Sequence, residues 1–383
     1  MTILDDDPSS ISLAVPGRSV RLAYVAEGDQ VFLISTDSNA RWPSHILRER
    51  SAVMNIGGKK VEGVPALIKD EMERQSIIQM FKHKYGETYV AKYFSHPSRM
   101  IRVDLGNHER NGKNNYYEWL EEEFDSVAND YDAHISGNVV NVLLRNRSLK
   151  VLKSCLKRNS YILEIGCGTG AETIELLREG HQVLAMDISG MMLENLRKKA
   201  IREGVAENLR TCKSRASLLG LVLNEEGEKT FDMAYSTYGA LNCEPNLSKV
   251  VEPLSLILKP NGYFVAGIYN KFCLSETLIH AASFKFNRIF WRFHNPILEG
   301  RSRFCIDVYS FTPSEFFELF RDRFSLRKII GVPLLFPPSN FKKLFPFIQN
   351  RYDQLNRLDE ALSQVWPTKF LGDHFLMVMS NVR

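Results

Sequence analysis

Apolar and polar positions alternate, or nearly so, over Ser19–Ala26 and Gln30–Thr36, with Glu27, Gly28 and Asp29 between them, which predicts a β-hairpin. A short helical pattern around Trp42–Arg50 is followed by Ala52–Ile56 and Lys60–Ile68, two strand-like runs about Gly57 and Gly58. Met72, Ile77, Ile78 and Phe81 recur at helical spacing within 70–85, and Met100–Leu105 closes with a strand. Residues 1–105 are thus expected to form a small β-rich domain with one or two helices. Residues 106–115 are polar, rich in Gly and Asn and without apolar period, which predicts a linker. Beyond it, strands (Tyr161–Ile165, Gln182–Met186, Phe231–Ser236, Tyr263–Tyr269) alternate with helices (Ala171–Glu179, Met191–Glu203, Leu247–Leu258). That alternation specifies an α/β, doubly wound and mostly parallel sheet over 116–383.

Composition changes this picture little. The 383 residues are 44% hydrophobic and 25% charged, ordinary for folded chains. Basic and acidic residues stand at 14 and 13 in 1–104 and at 35 and 32 in the rest, so no concentrated basic stripe marks a nucleic-acid binder. Six scattered cysteines without a C-x-x-C pair argue against a metal site or a disulfide framework. Asp5, Asp6 and Asp7 stand where a secretory signal would carry Lys or Arg, and no window reaches about 18 uninterrupted apolar residues. The expectation is a soluble, reduced, cytoplasmic protein without a transmembrane segment.

Chemistry concentrates at Leu163–Gly170, LEIGCGTG. Glycines at a strand-to-helix turn let the backbone close tightly and a ligand approach the free N–H groups of the following helix. Gly166, Gly168 and Ala171 also satisfy the dinucleotide pattern G-x-G-x-x-A, weak support when it stands alone. Glu164, two residues before the first glycine, suits a ligand carrying a cationic group better than an anionic pyrophosphate. Asp187 ends the next strand, 21 residues after Gly166, where an acid accepts both ribose hydroxyls. Nucleoside binding follows from these residues, without its identity.

These residues resemble class I S-adenosylmethionine (SAM)-dependent methyltransferases over residues 116–383. Leu163–Gly170 looks like the family's glycine loop, Asp187–Leu193 (DISGMML) its ribose-binding turn, Phe231–Ser236 its fourth strand, and Leu258–Val265 (LKPNGYFV) its L-K-P-G-G segment. Phe124–Asp132 (FDSVANDYD) is similar to its lead helix. The resemblance implies a seven-stranded Rossmann-like sheet that binds SAM. Glu164, Gly166, Cys167, Gly168 and Gly170 would hold the methionine portion, with Tyr131 reaching its end; Asp187 would hold the ribose, and Ile188 and Met192 would lie near the adenine. The family's adenine-binding acid after the third strand is missing from Cys212–Ala216, where Ser214 is the substitute. Methyl transfer needs alignment, exclusion of water and, for some acceptors, a base. Tyr238 and Asn242, after the fourth strand, are expected to line the cleft facing the methyl group.

Phe284–His294 interleaves aromatic and basic residues, and Leu334–Phe347 is again aromatic, so a lid insertion is expected around 270–350. Such a lid points to a hydrophobic acceptor or to peripheral contact with a membrane surface; completion of an ordinary core is the competing reading. Asp373–Ser380 reads as the last strand, antiparallel at the sheet edge by resemblance, with His374 at its start as a further catalytic candidate and His280 and His294 no better placed.

The pattern of residues 17–105 resembles the split barrel of pyridoxamine-phosphate-oxidase-like and deazaflavin-dependent proteins. Ser35, Thr36, Ser38, Arg41 and Trp42 would then face a flavin or deazaflavin, and a cofactor-free barrel would serve as a homodimer contact. The leading expectation is a SAM-dependent methyltransferase acting on a small or medium-sized, hydrophobic metabolite. The alternatives are a flavin- or deazaflavin-linked bifunctional oxidoreductase-methyltransferase and a non-catalytic nucleoside-binding scaffold.

Overall fold

The computed structural model describes residues 10–36, 40–94, 97, 99–105, 116–221, 230–293, 296–299, 306–341 and 344–383. The expected linker 106–115, together with Ser38 and His294, lies outside them. The chain divides into two compact units, Met1–Glu123 with Gly300–Ile306, and Phe124–Glu299 with Asp307–Arg383.

The first unit is built on β1 (Ile11–Val15), β2 (Arg18–Leu22), β3 (Tyr24–Glu27), β4 (Gln30–Ser35), β5 (Ala52–Ile56), β6 (Lys59–Leu67) and β7 (Arg99–Asp104). They form one half-barrel sheet in the order β2-β1-β5-β6-β7-β4-β3, with every pairing antiparallel. The expected strand Ser19–Ala26 is two strands. At Leu22–Val25 the alternation lapses, and the chain changes partner there, β2 pairing with β1 and β3 with β4. Helices α1 (Trp42–Glu49), α2 (Glu71–Tyr85) and α3 (Glu87–Tyr93) complete the unit. Ile77 and Phe81 of α2 and Val90 of α3 pack on Val25, Phe32 and Ile34. Buried Arg99 pairs with Glu123 at 3.2 Å and donates to Ser44 Oγ at 2.5 Å.

In the second unit α4 (Tyr116–Val127, of which the residues from Phe124 belong here), α5 (Tyr131–Ser136) and α6 (Val139–Cys155) lead into β8 (Tyr161–Ile165), α7 (Ala171–Arg178), β9 (Gln182–Asp187), α8 (Gly190–Arg202), β10 (Leu209–Lys213) and β11 (Phe231–Ser236). The helix Ser248–Ile257 and β12 (Leu258–Tyr269) follow; β13 (Ile297–Glu299) and β14 (Ile306–Val308) are short, and β15 (Phe324–Val332) and β16 (His374–Asn381) end the unit. The order β10-β9-β8-β11-β12-β16-β15 gives a seven-stranded, mostly parallel sheet in which only β16 runs against the others, pairing antiparallel with β12 on one side and β15 on the other. Strand order reverses between β8 and β11, so the carboxyl ends of β8, β9 and β11 border the crevice where open sheets of this kind take ligands.

Two expectations change. The strand beginning at His374 is not at the edge, because β15 pairs along its far side and forms the edge itself. The aromatic stretch expected as an insertion is divided. The helix Pro313–Phe320, started by a Thr312–Glu315 capping box, buries Phe316 and Phe320 against Phe264, Phe324 and Phe375, and Leu334 and Phe336 are buried as well. Exposed rings remain at Phe272, Phe284, Phe286, Phe290, Phe293 and Phe347.

Candidate functional site

The turn after β8 uses its glycines where only glycine fits. Gly166, Gly168 and Gly170 all have left-handed backbones (φ +77°, +53° and +74°). A Cβ on Gly166 would lie 2.4 Å from Ala240 Cβ, and one on Gly170 2.2 Å from Leu196 Cδ1. The loop is tied to the next strand: the N–H groups of Gly166 and Cys167 donate to the Met186 carbonyl at 2.7 and 3.0 Å. Gly168 N–H donates to Asp187 Oδ2 at 2.7 Å and Ser189 N–H to Oδ1 at 2.9 Å. Asp187 is therefore fixed in place, and each oxygen keeps a further lone pair.

The lead segment clamps this turn from the other side, a role not visible in its sequence. Asp125 Oδ1 accepts from Ser189 Oγ at 2.5 Å and Met191 N–H at 3.2 Å. Asp132 accepts from Thr169 Oγ1 at 2.6 Å and pairs with Lys199 at 2.7 Å. Between these acids Tyr131 is placed with its Cε1 3.7 Å from where a Cβ of Gly168 would stand, and burial pushes its hydroxyl up to about 12.

Beneath the loop lies a cluster of acids with little compensation. Glu164 is buried and accepts from Thr173 Oγ1. Burial, reinforced by the neighbouring Glu172, pushes its carboxyl up to about 8. Burial likewise raises Asp187 to about 6 against the hydrogen bonds from Ser189 and Gly168. Glu172 Oε1 and Arg145 Nε are buried without a hydrogen-bond partner, and Arg145 Nε stands 4.0 Å from Glu172. Glu172 and Arg145 sit on α7 and α6, helices whose sequence shows only ordinary amphipathic patterning, so no local signal exposes them.

Met192 is buried and Ile188 half-buried at the start of α8, beside Asp187. Ser214 N–H donates to the Asp187 carbonyl at 3.0 Å, which brings it to the same edge. Cys167 is buried, and its thiol is raised well above the ordinary range by burial.

On the far side of the crevice Tyr238 has φ +58° and Gly239 φ +77°, two successive left-handed residues at the end of β11. The Arg145 guanidinium lies 5.5 Å from the centre of the Tyr238 ring. Asn242 is buried with its amide occupied: Nδ2 donates to the carbonyls of Tyr309 (2.7 Å) and Tyr269 (3.4 Å), and Oδ1 accepts from Tyr269 N–H at 2.9 Å. His374 Nδ1 is 3.1 Å from Asp373 Oδ2, and its ring lies edge-on to Tyr269. In the first unit Ser35 and Trp42 are buried, whereas Thr36 and Arg41 are exposed. Among the described residues no group of three His, Cys, Asp or Glu side chains could hold a metal ion, and no helix is long and apolar enough to cross a membrane.

Residues 162–262 match a family model described as a methyltransferase domain. An uncharacterised protein of Methanocaldococcus jannaschii is 27% identical over 151 residues, 39% of this chain and 52% of that protein. The sterol 4-C-methyltransferase of Caenorhabditis elegans is 31% identical over 110 residues, 29% of this chain and 31% of the relative. Among solved structures, the 1,6-didemethyltoxoflavin-N1-methyltransferase of Burkholderia thailandensis is 17% identical, with 74% of this chain and 96% of that one covered at a TM-score of 0.45. The chain thus spans about half the length of the first relative and about a third of the second. The matched stretch begins in β8 and ends in β12, so it contains the glycine loop, Asp187 and the end of β11. With the strand order described above, the second unit has the fold of the class I SAM-dependent methyltransferases.

Proposed function

We propose that the chain transfers a methyl group from SAM to a small or medium-sized, hydrophobic acceptor. The observation that carries this reading is the buried Glu164, raised by desolvation in spite of its hydrogen bond from Thr173, beside a fixed Asp187 at the point where the strand order reverses. A carboxyl held protonated by desolvation gains most from a ligand that brings a positive charge. The orphaned atoms around it fit the amino-acid end of such a ligand. Glu164 and Glu172 would receive an ammonium group, Arg145 a carboxylate, Asp187 the ribose hydroxyls, and Ile188 and Met192 would flank the base, with Ser214 at its edge. Tyr131 and the backbone of Gly166–Gly170 would close over the chain between them.

Bound SAM supplies an activated methyl group on a sulfonium; the protein supplies alignment and a dry crevice. Tyr238 would line the acceptor side, and Asn242 would act as a positioning residue that fastens the end of β12. The exposed rings between Phe272 and Phe293, on a stretch that carries no acid from Thr277 to Leu298, support an apolar acceptor collected at a lipid surface.

The test is isothermal titration of S-adenosylhomocysteine (SAH), followed by incubation with [methyl-3H]SAM and a total lipid extract. The expected result is SAH binding and tritium in the organic phase. Tritium only in water-soluble products would remove the apolar acceptor, and SAH binding with no transfer to any fraction would favour a scaffold. A flavin mass retained by the purified protein would favour the bifunctional alternative.

A further inference from the structure

Arg292 belongs to the exposed aromatic-basic segment, yet it is only 2% exposed. Its Nε donates to Glu276 Oε2 at 2.5 Å and its Nη2 to Asp373 Oδ1 at 2.6 Å. Nη1 donates to the carbonyls of Asn270 and Asp373 at 3.1 and 3.2 Å, and the guanidinium lies 4.1 Å from the centre of the Tyr269 ring. Each carboxylate is shared with a histidine: Glu276 Oε1 is 3.7 Å from His280 Nε2, and Asp373 Oδ2 is 3.1 Å from His374 Nδ1. The row His280, Glu276, Arg292, Asp373, His374 therefore holds two carboxylates against one permanent cation. Burial and the nearby Arg288, Lys285 and Arg292 lower His280, whose Nε2 makes no hydrogen bond. His374 is the imidazole within hydrogen-bond distance of its carboxylate.

The geometry also fixes which nitrogen is available. Asp373 is lowered below the usual carboxylate range because Arg292 and His374 outweigh its burial, so it is ionised and can only accept. Nδ1 of His374 then donates to it, which leaves Nε2 as the nitrogen open to a proton from elsewhere. Nε2 faces Gly239, on which a Cβ would stand 3.8 Å away, so the absence of a side chain keeps the space before it open. Gly239 follows β11 and adjoins Ala240, the residue against which Gly166 packs. The groups facing the imidazole are Asp373, Tyr238 and Tyr269, with Arg292 behind Tyr269.

We propose that His374 is the proton acceptor of the methyl transfer, and that Asp373 and Arg292 are the positioning residues that fix its tautomer. This rests on the methyltransferase reading and names its base. As the acceptor heteroatom bonds to the methyl carbon, the carbon–sulfur bond breaks and its electron pair stays on sulfur, which becomes neutral. The proton on the heteroatom passes to Nε2, and the imidazolium is held by Asp373.

Two readouts test this. Long-range 1H–15N spectra of the ligand-free protein, with His374 assigned by its loss in His374→Gln, should show the ring protonated at Nδ1 and bare at Nε2. Asp373→Asn should invert that tautomer, and Arg292→Lys should preserve it. Tritium transfer into the lipid extract should fall by about 10²–10⁴-fold in His374→Gln, the range expected for loss of a general base, while SAH affinity stays within about threefold. A ring protonated at Nε2 in the wild type, or wild-type transfer by His374→Gln, overturns the proposal. Absence of SAH binding by the wild type is a separate result, which removes the methyltransferase reading itself.

Discussion

The two sides of the crevice both bury carboxylates, and they treat them oppositely. On the glycine-loop side Glu164 and Asp187 are raised to about 8 and about 6 by burial, and Arg145 has its Nε without a hydrogen-bond partner 4.0 Å from Glu172. On the β16 side Glu276 and Asp373 grip Arg292 directly, and Asp373 is lowered instead. Desolvation acts on both; the difference is a hydrogen-bonded guanidinium. Acids without such a partner are poised for a ligand that brings its own positive charge, whereas acids with one are part of the framework and can orient a neighbour.

The largest effect should come from breaking the paired side. Arg292→Met leaves two carboxylates buried without their counter-ion, and denaturant unfolding should show a loss of about 3–5 kcal/mol. The same treatment of the glycine-loop side should cost binding more than stability. In Gly168→Val a Cβ meets nothing closer than Tyr131 Cε1 at 3.7 Å, so the fold should survive with some strain from φ +53° while SAH binding drops below detection in calorimetry. Gly170→Val, which collides with Leu196, should instead fail to fold. Asp187→Ala removes an acceptor for ribose hydroxyls and should weaken SAH by about 1–3 kcal/mol. A smaller effect is expected at the periphery: Phe284, Phe286 and Phe290 are 82%, 60% and 64% exposed, and replacing all three with Ser should reduce co-sedimentation with anionic vesicles without altering SAH affinity.

The same contrast governs what the sequence reveals. Leu163–Gly170 and Asp187 are legible because their chemistry is local, set by left-handed glycines and one strand end. The Arg292 network is not, because Arg292, Glu276 and Asp373 are up to 97 residues apart, and a basic residue among aromatics reads as surface. Asp125 and Asp132 fall within a recognisable segment, but their partners Ser189 and Thr169 become visible only in the fold. Strand β15 escapes sequence reading for a physical reason: its register shifts between Leu326 and Lys328, so the alternation of inward and outward positions is interrupted. The helix Pro313–Phe320 falls inside the stretch 270–350 expected as a lid, so its own capping box and apolar spacing are not singled out.

The most direct test of the central claim is the pH dependence of SAH binding to the wild type and to Glu164→Gln. A carboxyl raised to about 8 in the folded protein binds a proton there that the unfolded chain releases near its ordinary value, so the ligand-free protein should lose stability as pH rises through that window, by at most about 1.4 kcal/mol per pH unit. A cationic ligand requires the ionised form, so wild-type affinity should rise from pH 6 towards pH 8 with uptake of a proton by the buffer. Glu164→Gln should bind SAH more weakly, show no such rise and be the more stable ligand-free protein above pH 8. Equal affinity and the same pH profile in both proteins would contradict the assignment of Glu164, and with it the account of the glycine-loop side.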